Sequence, residues 1–154
     1  MPIHIRPARA SDLALISQLF DQYRQFYNQA SDLALAQHFM AERFDRSESV
    51  VLVAQSSETQ LLIGFCQLYP SFCSVAAAPI YTLYDLFVAP QARRQGAARA
   101  LLFAAELRAK ADGKVRMDLT TAKTNLQAQA LYQSLGWVRD DVFLTFSREI
   151  ELPT

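Results

Sequence analysis

A β-rich run, IYTLYDLFVA (Ile80–Ala89), is stopped by Pro90 and passes through QARRQGAAR (Gln91–Arg99) into an apolar helical stripe. Proline ends a central strand because it has no N–H for the ladder and its ring fixes φ. Ala98, Leu101, Leu102 and Ala105 then recur at the i, i+3, i+4, i+7 spacing of one buried helix face. A strand that hands over to a helix through a short glycine turn makes an anion site. The first helical N–H groups have no partner inside the helix, and the helix dipole adds positive potential. Small residues at Gly96, Ala97 and Ala98 let a phosphate approach the backbone, and Arg93, Arg94 and Arg99 can add charge-assisted bonds. Arginines at a helix start oppose the dipole unless an anion is present, which argues against a purely solvated role for Arg93 and Arg94.

Two familiar phosphate loops do not fit. A P-loop needs Lys-Ser/Thr after its last glycine, and Ala97-Ala98 follows Gly96. The dinucleotide fingerprint needs three glycines after the first strand, and this turn has one.

The 154 residues suit one domain, 1–154, with a full core. At 51% apolar and 19% charged residues, the chain is neither a disordered segment nor a coiled coil. A formal net charge of zero gives no general attraction to nucleic acid or an anionic membrane. No apolar run approaches the roughly 20 residues that span a bilayer, and MPIHIRPARASD lacks a signal core, so a cytoplasmic location is expected. Cys66 reads as a buried core thiol and Cys73 as a loop residue. His4 and His38 have no partner at ligand spacing, so no metal site is expected. Charge is uneven along the chain. Residues 93–116 carry seven bases against two acids, and residues 11–58 carry seven acids against three bases. Two solvated faces would do this, as would an anion docking on the second half and a cation visiting the first.

The remaining pattern predicts one mixed α/β domain in the order β-α-α-β-β-β-α-β-α-β-β. Ile3–Arg6 alternates as a strand, and Ser11-Asp12 and Ser31-Asp32 signal helix starts. Val50–Gln55 and Leu61–Tyr69 form a hairpin about SSETQ, and PSFCSVAAAP reads as a loop between prolines. Val115, Met117 and Leu119 alternate as a strand. Asn125 can cap a helix whose stripe is Ala128, Leu131, Tyr132 and Leu135, stopped by Gly136. Trp137-Val138 and Val142–Ile150 read as two last strands.

Arg93-x-x-Gly96-x-Ala98 after Leu86-Phe87-Val88-x-Pro90, with Asn125 and Tyr132 in NLQAQALYQSLGW, resembles the GNAT superfamily of acetyl-CoA-dependent N-acetyltransferases over nearly the whole chain. Arg94, Ala97 and Ala98 stand where many members have glycine. The resemblance implies that the backbone of Leu86, Phe87 and Val88 pairs with the pantetheine arm. It implies that Arg93, Arg94, Gln95, Gly96, Ala97, Ala98 and Arg99 hold the pyrophosphate and that Asn125 reaches the cofactor. It also implies Tyr132 as the acid that protonates the leaving thiolate, although a tyrosine on an apolar helix face can equally be core. The amine would attack the acetyl carbonyl directly, with a backbone N–H, such as that of Val88, polarising it.

Asp85, the one carboxylate of the central run, is either base or amine anchor, or a structural ion-pair residue. Tyr84-Asp85 is similar to the paired acids of diamine acetyltransferases, with Tyr84 departing from that pattern. Strand alternation sends Tyr84 and Asp85 to opposite faces. Tyr23, Arg24, Tyr27, Ser71 and Phe72 are candidate acceptor contacts, while Phe26 reads as core. Aromatic residues with acidic surroundings suit an amine cation, and Arg24 suits a carboxylate. The expected function is acetylation of a small primary amine. Peptide acetylation and a non-catalytic coenzyme A-binding module are the alternatives. The resemblance also allows a homodimer through the late strands.

Overall fold

The computed structural model describes residues 2–154. Two compact units divide the chain, one ending at Thr120 and the other running from Thr121 to Thr154.

In the first unit, β1 (Ile3–Pro7) leads through a short 3-10 turn into α1 (Leu13–Phe26) and α2 (Leu33–Asp45). There follow β2 (Val50–Ser56), β3 (Leu62–Cys73), β4 (Ala78–Val88), α3 (Ala97–Ala111) and β5 (Met117–Asp118). The sheet runs β1-β2-β3-β4-β5 in sequence order. Its pairs are antiparallel except β4 with β5, which is parallel, so the sheet is mixed.

The sheet is buried on both faces. Ile16, Leu19 and Phe20 of α1, with Ala36 and Met40 of α2, pack on Val53, Phe65 and Phe87. The alternate residues Leu52, Ala54 and Cys66 are buried as well, and α3 packs against β1 to β4. Burial pushes the Cys66 thiol up to about 12, in keeping with an inert core residue.

Both helix starts predicted for the first unit form, by different means. Asp32 caps α2 by accepting from the Leu35 N–H at 3.0 Å. Asp12 makes no side-chain cap to α1. Its carboxylate takes Arg6 Nη1 at 2.7 Å, Arg6 Nη2 at 2.9 Å and the Arg9 N–H at 2.7 Å. These partners hold the Asp12 carboxyl below its ordinary range. Its stabilisation is therefore full above a pH of about 4 and is lost as pH falls through the folded-state value. Asp12→Ala leaves Arg6 half-paired near the helix entry, and we expect a loss of about 2 kcal/mol, or roughly 5 °C in Tm. Thermal melts across pH check this, since the difference from wild type should shrink below pH 4.

Two sequence expectations are corrected. The segment 70–79 is not a loop. Strand β3 continues to Cys73 and β4 begins at Ala78, leaving a four-residue turn at 74–77. Pro70 lies beyond Leu68, the last β3 residue that pairs with β2, so its missing N–H costs no β2–β3 bond.

The second correction concerns the chain end. In the second unit, α4 (Leu126–Ser134) forms with Asn125 accepting from the Ala128 N–H at 3.1 Å, and Gly136 follows at φ 90°. Among the described residues no strand forms at Trp137-Val138 or Val142–Ile150. Val138, Val142, Leu144 and Phe146 are all exposed. Alternation encodes which face a strand would bury but supplies no partner edge, and without a ladder the backbone stays irregular.

Candidate active site

The turn after β4 has the geometry that its sequence requires. A 3-10 turn, Pro90–Ala92, leads to Arg93, and Arg94 and Gly96 take left-handed backbones at φ 64° and 87°. Gly96 is the N-cap of α3, and no side chain caps the first helical turn. The N–H groups of Ala97 and Ala98 therefore have no partner inside the helix. A Cβ built on Gly96 would meet nothing within 4 Å, so the turn needs glycine for its backbone angle and the space above it is open. Arg94, Gln95 and Gly96 are exposed, as is Arg99, whereas Ala97 is buried and Ala98 half-buried. Arg93 is committed elsewhere. Its Nε donates to the Val88 carbonyl at 3.0 Å, and its guanidinium lies over the Phe26 and Phe87 rings, 5.8 and 5.5 Å from their centroids. Phe26 is thus half-exposed beside the turn rather than core.

Among the described residues of the first unit, β5 pairs with β4 only at Tyr81 and Thr82, so no strand covers the rest of that edge. The Ala89 N–H donates inward to Ile63. Alternation then turns the backbone groups of Val88 and Leu86 to the open edge. Phe87 differs: its carbonyl faces β3 at Gly64, and its side chain is in the core. Of the three residues expected to pair with a pantetheine arm, Leu86 and Val88 present their backbones, and Arg93 already holds the Val88 carbonyl. The Val88 N–H remains as a donor. Gly64 lets the strands come this close, since a Cβ there would lie 2.8 Å from the Phe87 oxygen.

A β-bulge shapes the middle of β4. Gln67 pairs with Asp85 and Leu68 with Leu83, so Tyr84 has no opposite residue. Tyr81 donates from its hydroxyl to Asp112 at the end of α3, whereas Gln67, which shares a face with Asp85, contacts Met40 of α2. Residues 81 and 85 would share a face in a regular strand; the bulge puts them on opposite ones. It also cancels the expected separation of Tyr84 from Asp85. The Tyr84 ring packs edge-to-face on Tyr69 at 5.7 Å, and its carbonyl accepts from the Tyr23 hydroxyl at 3.2 Å.

Asp85 lies under these rings, 3% exposed. Its Oδ2 accepts from Gln67 Nε2 at 2.5 Å, and Gln67 Oε1 accepts from Ser49 Oγ at 2.6 Å. Desolvation raises the Asp85 carboxyl above the ordinary range, opposed by the bonds from Gln67 and Tyr23. Burial and the adjacent Asp85 charge push the Tyr23 and Tyr69 hydroxyls upward, so both stay protonated donors at neutral pH. Tyr27 packs on Tyr23 at 5.2 Å and is half-exposed. The result is a buried carboxyl walled by Tyr23, Tyr69 and Tyr84.

Among the candidate acceptor contacts, Tyr23, Tyr27 and Tyr84 fall in or beside this cluster. Arg24 holds a buried Nη1 with no hydrogen-bond partner. Phe72 pairs with Pro79, five positions along β3 from Gln67, and Ser71 with Ile80. At about 3.3 Å per residue Phe72 is roughly 16 Å from the carboxyl, so the structure does not bring it there. Sequence reasoning missed Gln67, Tyr69 and Ser49. The signal was a glutamine and a tyrosine inside LLIGFCQLY, where a polar residue amid a buried run demands a partner.

In the second unit Tyr132 is half-buried, its ring 6.2 Å from that of Trp137, and its carbonyl accepts from the Trp137 N–H. The Asn125 oxygen is used in capping α4.

An uncapped helix start behind a left-handed glycine, next to an open strand edge, fits a pyrophosphate and its extended arm. The chain is similar to proteins of known family. Residues 14–137 match the acetyltransferase (GNAT) family. An uncharacterised N-acetyltransferase of Bacillus subtilis, YhfO, is 45% identical over 144 residues, covering 94% of this chain and 95% of its own. A crystal structure of a probable acetyltransferase superposes with a TM-score of 0.90 at 38% identity, covering 96% of this chain and 98% of that one. The aminoglycoside N-acetyltransferase AAC(6')-Iy, bound to a coenzyme A bisubstrate analogue, shares the fold with a TM-score of 0.81 at 18% identity, over 97% of this chain and 100% of that one. The chain belongs to the GNAT family of acetyltransferases and is an N-acetyltransferase that uses acetyl-CoA.

Proposed function

We propose that the acceptor is the primary amine of a small molecule and that Asp85 takes up the proton the amine loses. The observation that carries this is the buried Asp85 carboxyl beneath Tyr23, Tyr69 and Tyr84. Aromatic faces attract an ammonium ion, and a carboxylate raised above its ordinary range is a stronger base toward one. Acetyl-CoA, when bound, supplies a thioester whose acetyl carbon the amine attacks and whose sulfur leaves as a thiolate. The Val88 N–H, on the open edge of β4, polarises the acetyl oxygen. The Tyr132 hydroxyl holds the proton given to the leaving sulfur. The ammonium gives one proton to Asp85 and the neutral amine attacks. As the carbon–sulfur bond breaks the sulfur takes the Tyr132 proton, the acylated nitrogen sheds its second proton to solvent, from which Tyr132 is reprotonated, and no covalent enzyme intermediate forms.

Arg24, whose buried Nη1 has no hydrogen-bond partner, acts on Asp21 and is not among the influences on Asp85, so it gives no ground for preferring an acceptor that also carries a carboxylate. A thiol-release screen against alkyl amines, amino acids, aminoglycosides and peptides tests the acceptor class. Turnover by small amines or amino acids is expected, and turnover confined to peptides would overturn the small-molecule assignment.

Tyr132→Phe removes the hydroxyl proposed as the acid and keeps the ring beside Trp137. We expect kcat to fall roughly 10- to 100-fold while the coenzyme A-induced rise in Tm is kept. An unchanged kcat would remove Tyr132 from the reaction. A homodimer belongs to the same proposal, since Val142, Leu144, Phe146 and Ile150 are exposed apolar side chains that a second copy could cover. Light scattering on the purified protein decides it.

A further inference from the structure

We infer, resting on the role of Asp85 proposed above, that Gln67 is a positioning residue that fixes the orientation and ionisation of that carboxyl and is itself fixed by Ser49. Gln67 is fully buried in β3, directly across the bulged pair from Asp85. An ionised carboxylate can only accept, so the Gln67 NH2 must face it, and the amide oxygen must then face away. Ser49 meets that oxygen with its hydroxyl, which locks the amide against the flipped arrangement. The second amide hydrogen has a weak acceptor in Met40 Sδ at 3.7 Å. Every polar atom of the side chain is thus used, and one of them aims at the reacting group.

The chain Ser49–Gln67–Asp85 has a function that packing alone would not need. A buried strand position opposite Met40 would be filled more cheaply by leucine, because a buried amide stabilises only when fully bonded. What glutamine adds is an N–H beside Oδ2 that favours the charged carboxyl against its own burial. Of the titratable groups around Asp85, Tyr23 also donates to the carboxyl, with a smaller effect than Gln67. Tyr23 comes from α1 and Tyr27 from just beyond its end, Tyr69 and Cys66 from β3, and Tyr84 from β4. Arg43 of α2 and Glu48, just beyond that helix, act on Tyr69 rather than on Asp85. No lysine or arginine figures among the influences on the carboxyl.

The test is the pH profile of kcat/KM for Gln67→Met, Gln67→Glu and Ser49→Ala, beside wild type and Asp85→Asn. Methionine keeps the volume and drops the N–H. Its acid limb should move up by about one pH unit, giving about tenfold lower kcat/KM on that limb and recovery at high pH. Glutamate places a second carboxyl against Asp85 and should move the limb further the same way. Ser49→Ala lies outside the buried strand and should cause a smaller shift in the same direction, which covers the case in which the Gln67 variants fail to fold. A uniform loss at every pH, with the limb unmoved, would make Gln67 a packing residue and overturn the inference. If Asp85→Asn keeps the wild-type limb, the role of Asp85 fails, and the inference falls with it. If that limb is lost in Asp85→Asn yet unmoved in the other three, the role of Asp85 stands and only the inference about Gln67 fails.

Discussion

Asp85→Asn is expected to lower kcat about 100- to 1,000-fold while stabilising the protein at alkaline pH. The activity loss follows from removing the proposed proton acceptor, which is worth roughly 10²- to 10⁴-fold in such reactions. The stability gain follows from the sign of the shift. Burial raises the folded-state value of Asp85 above its unfolded one, so folding is favoured by the protonated form. That contribution is full below the unfolded value, near 4, and is lost as pH rises through the folded value. At pH 8 the wild type carries a desolvated charge that asparagine does not, and asparagine still accepts from Gln67 through its own oxygen. Tm should therefore rise at pH 8, and the difference from wild type should shrink toward pH 4. The split between kcat and KM distinguishes the two roles open to this residue. A base loses kcat, and an amine anchor raises KM. A variant with wild-type kcat and KM would leave Asp85 as a structural buried acid.

Parts of this site were legible because their chemistry is local. The Pro90 stop, the left-handed glycine and the apolar stripe from Ala98 each follow from one residue's geometry, and they recur in the structure where the sequence puts them. Asp32 and Asn125 cap their helices for the same reason. What escaped was set by pairing. A bulge is a register event between two strands, so neither LYDLF nor FCQLY alone can show that Tyr84 is skipped and that its ring meets Tyr69. Gln67 could be flagged as a polar residue in a buried run, but its partner 18 residues away comes only with the register. The 70–79 segment misled because prolines read as loop punctuation, whereas past the end of β2 a strand tolerates them. At the chain end, alternation in Val142–Ile150 states a face without naming an edge, and no ladder forms among the described residues.

Gly96→Val should cost the cofactor turn its function while leaving most of the fold intact. A β-branched residue at φ 87° is strained, and forcing an L-residue into that region costs about 1–2 kcal/mol. There is no clash to add, because a Cβ at Gly96 has open space around it. The bound state loses more than the free one. The new side chain would stand at the uncapped start of α3, beside the N–H groups of Ala97 and Ala98, where we propose that the pyrophosphate comes close. We expect coenzyme A affinity to fall about 100-fold. At a ligand concentration 100 times the wild-type Kd, the wild type gains about 2.7 kcal/mol on binding and the variant only about 0.4 kcal/mol, so its Tm rise nearly disappears. Arg94→Gly is the control in the opposite sense. Arg94 already bears a left-handed backbone at φ 64°, and glycine relieves it, offset by the freedom glycine gains when unfolded. Its apo Tm should stay near wild type while affinity drops modestly and becomes less sensitive to salt, because one cation has left an exposed anion site. A Gly96→Val protein with a wild-type coenzyme A shift would move the pyrophosphate away from this turn. An Arg94→Gly protein with unchanged affinity and salt dependence would reduce Arg94 to a solvated surface residue, leaving the backbone of α3 as the anion's principal holder.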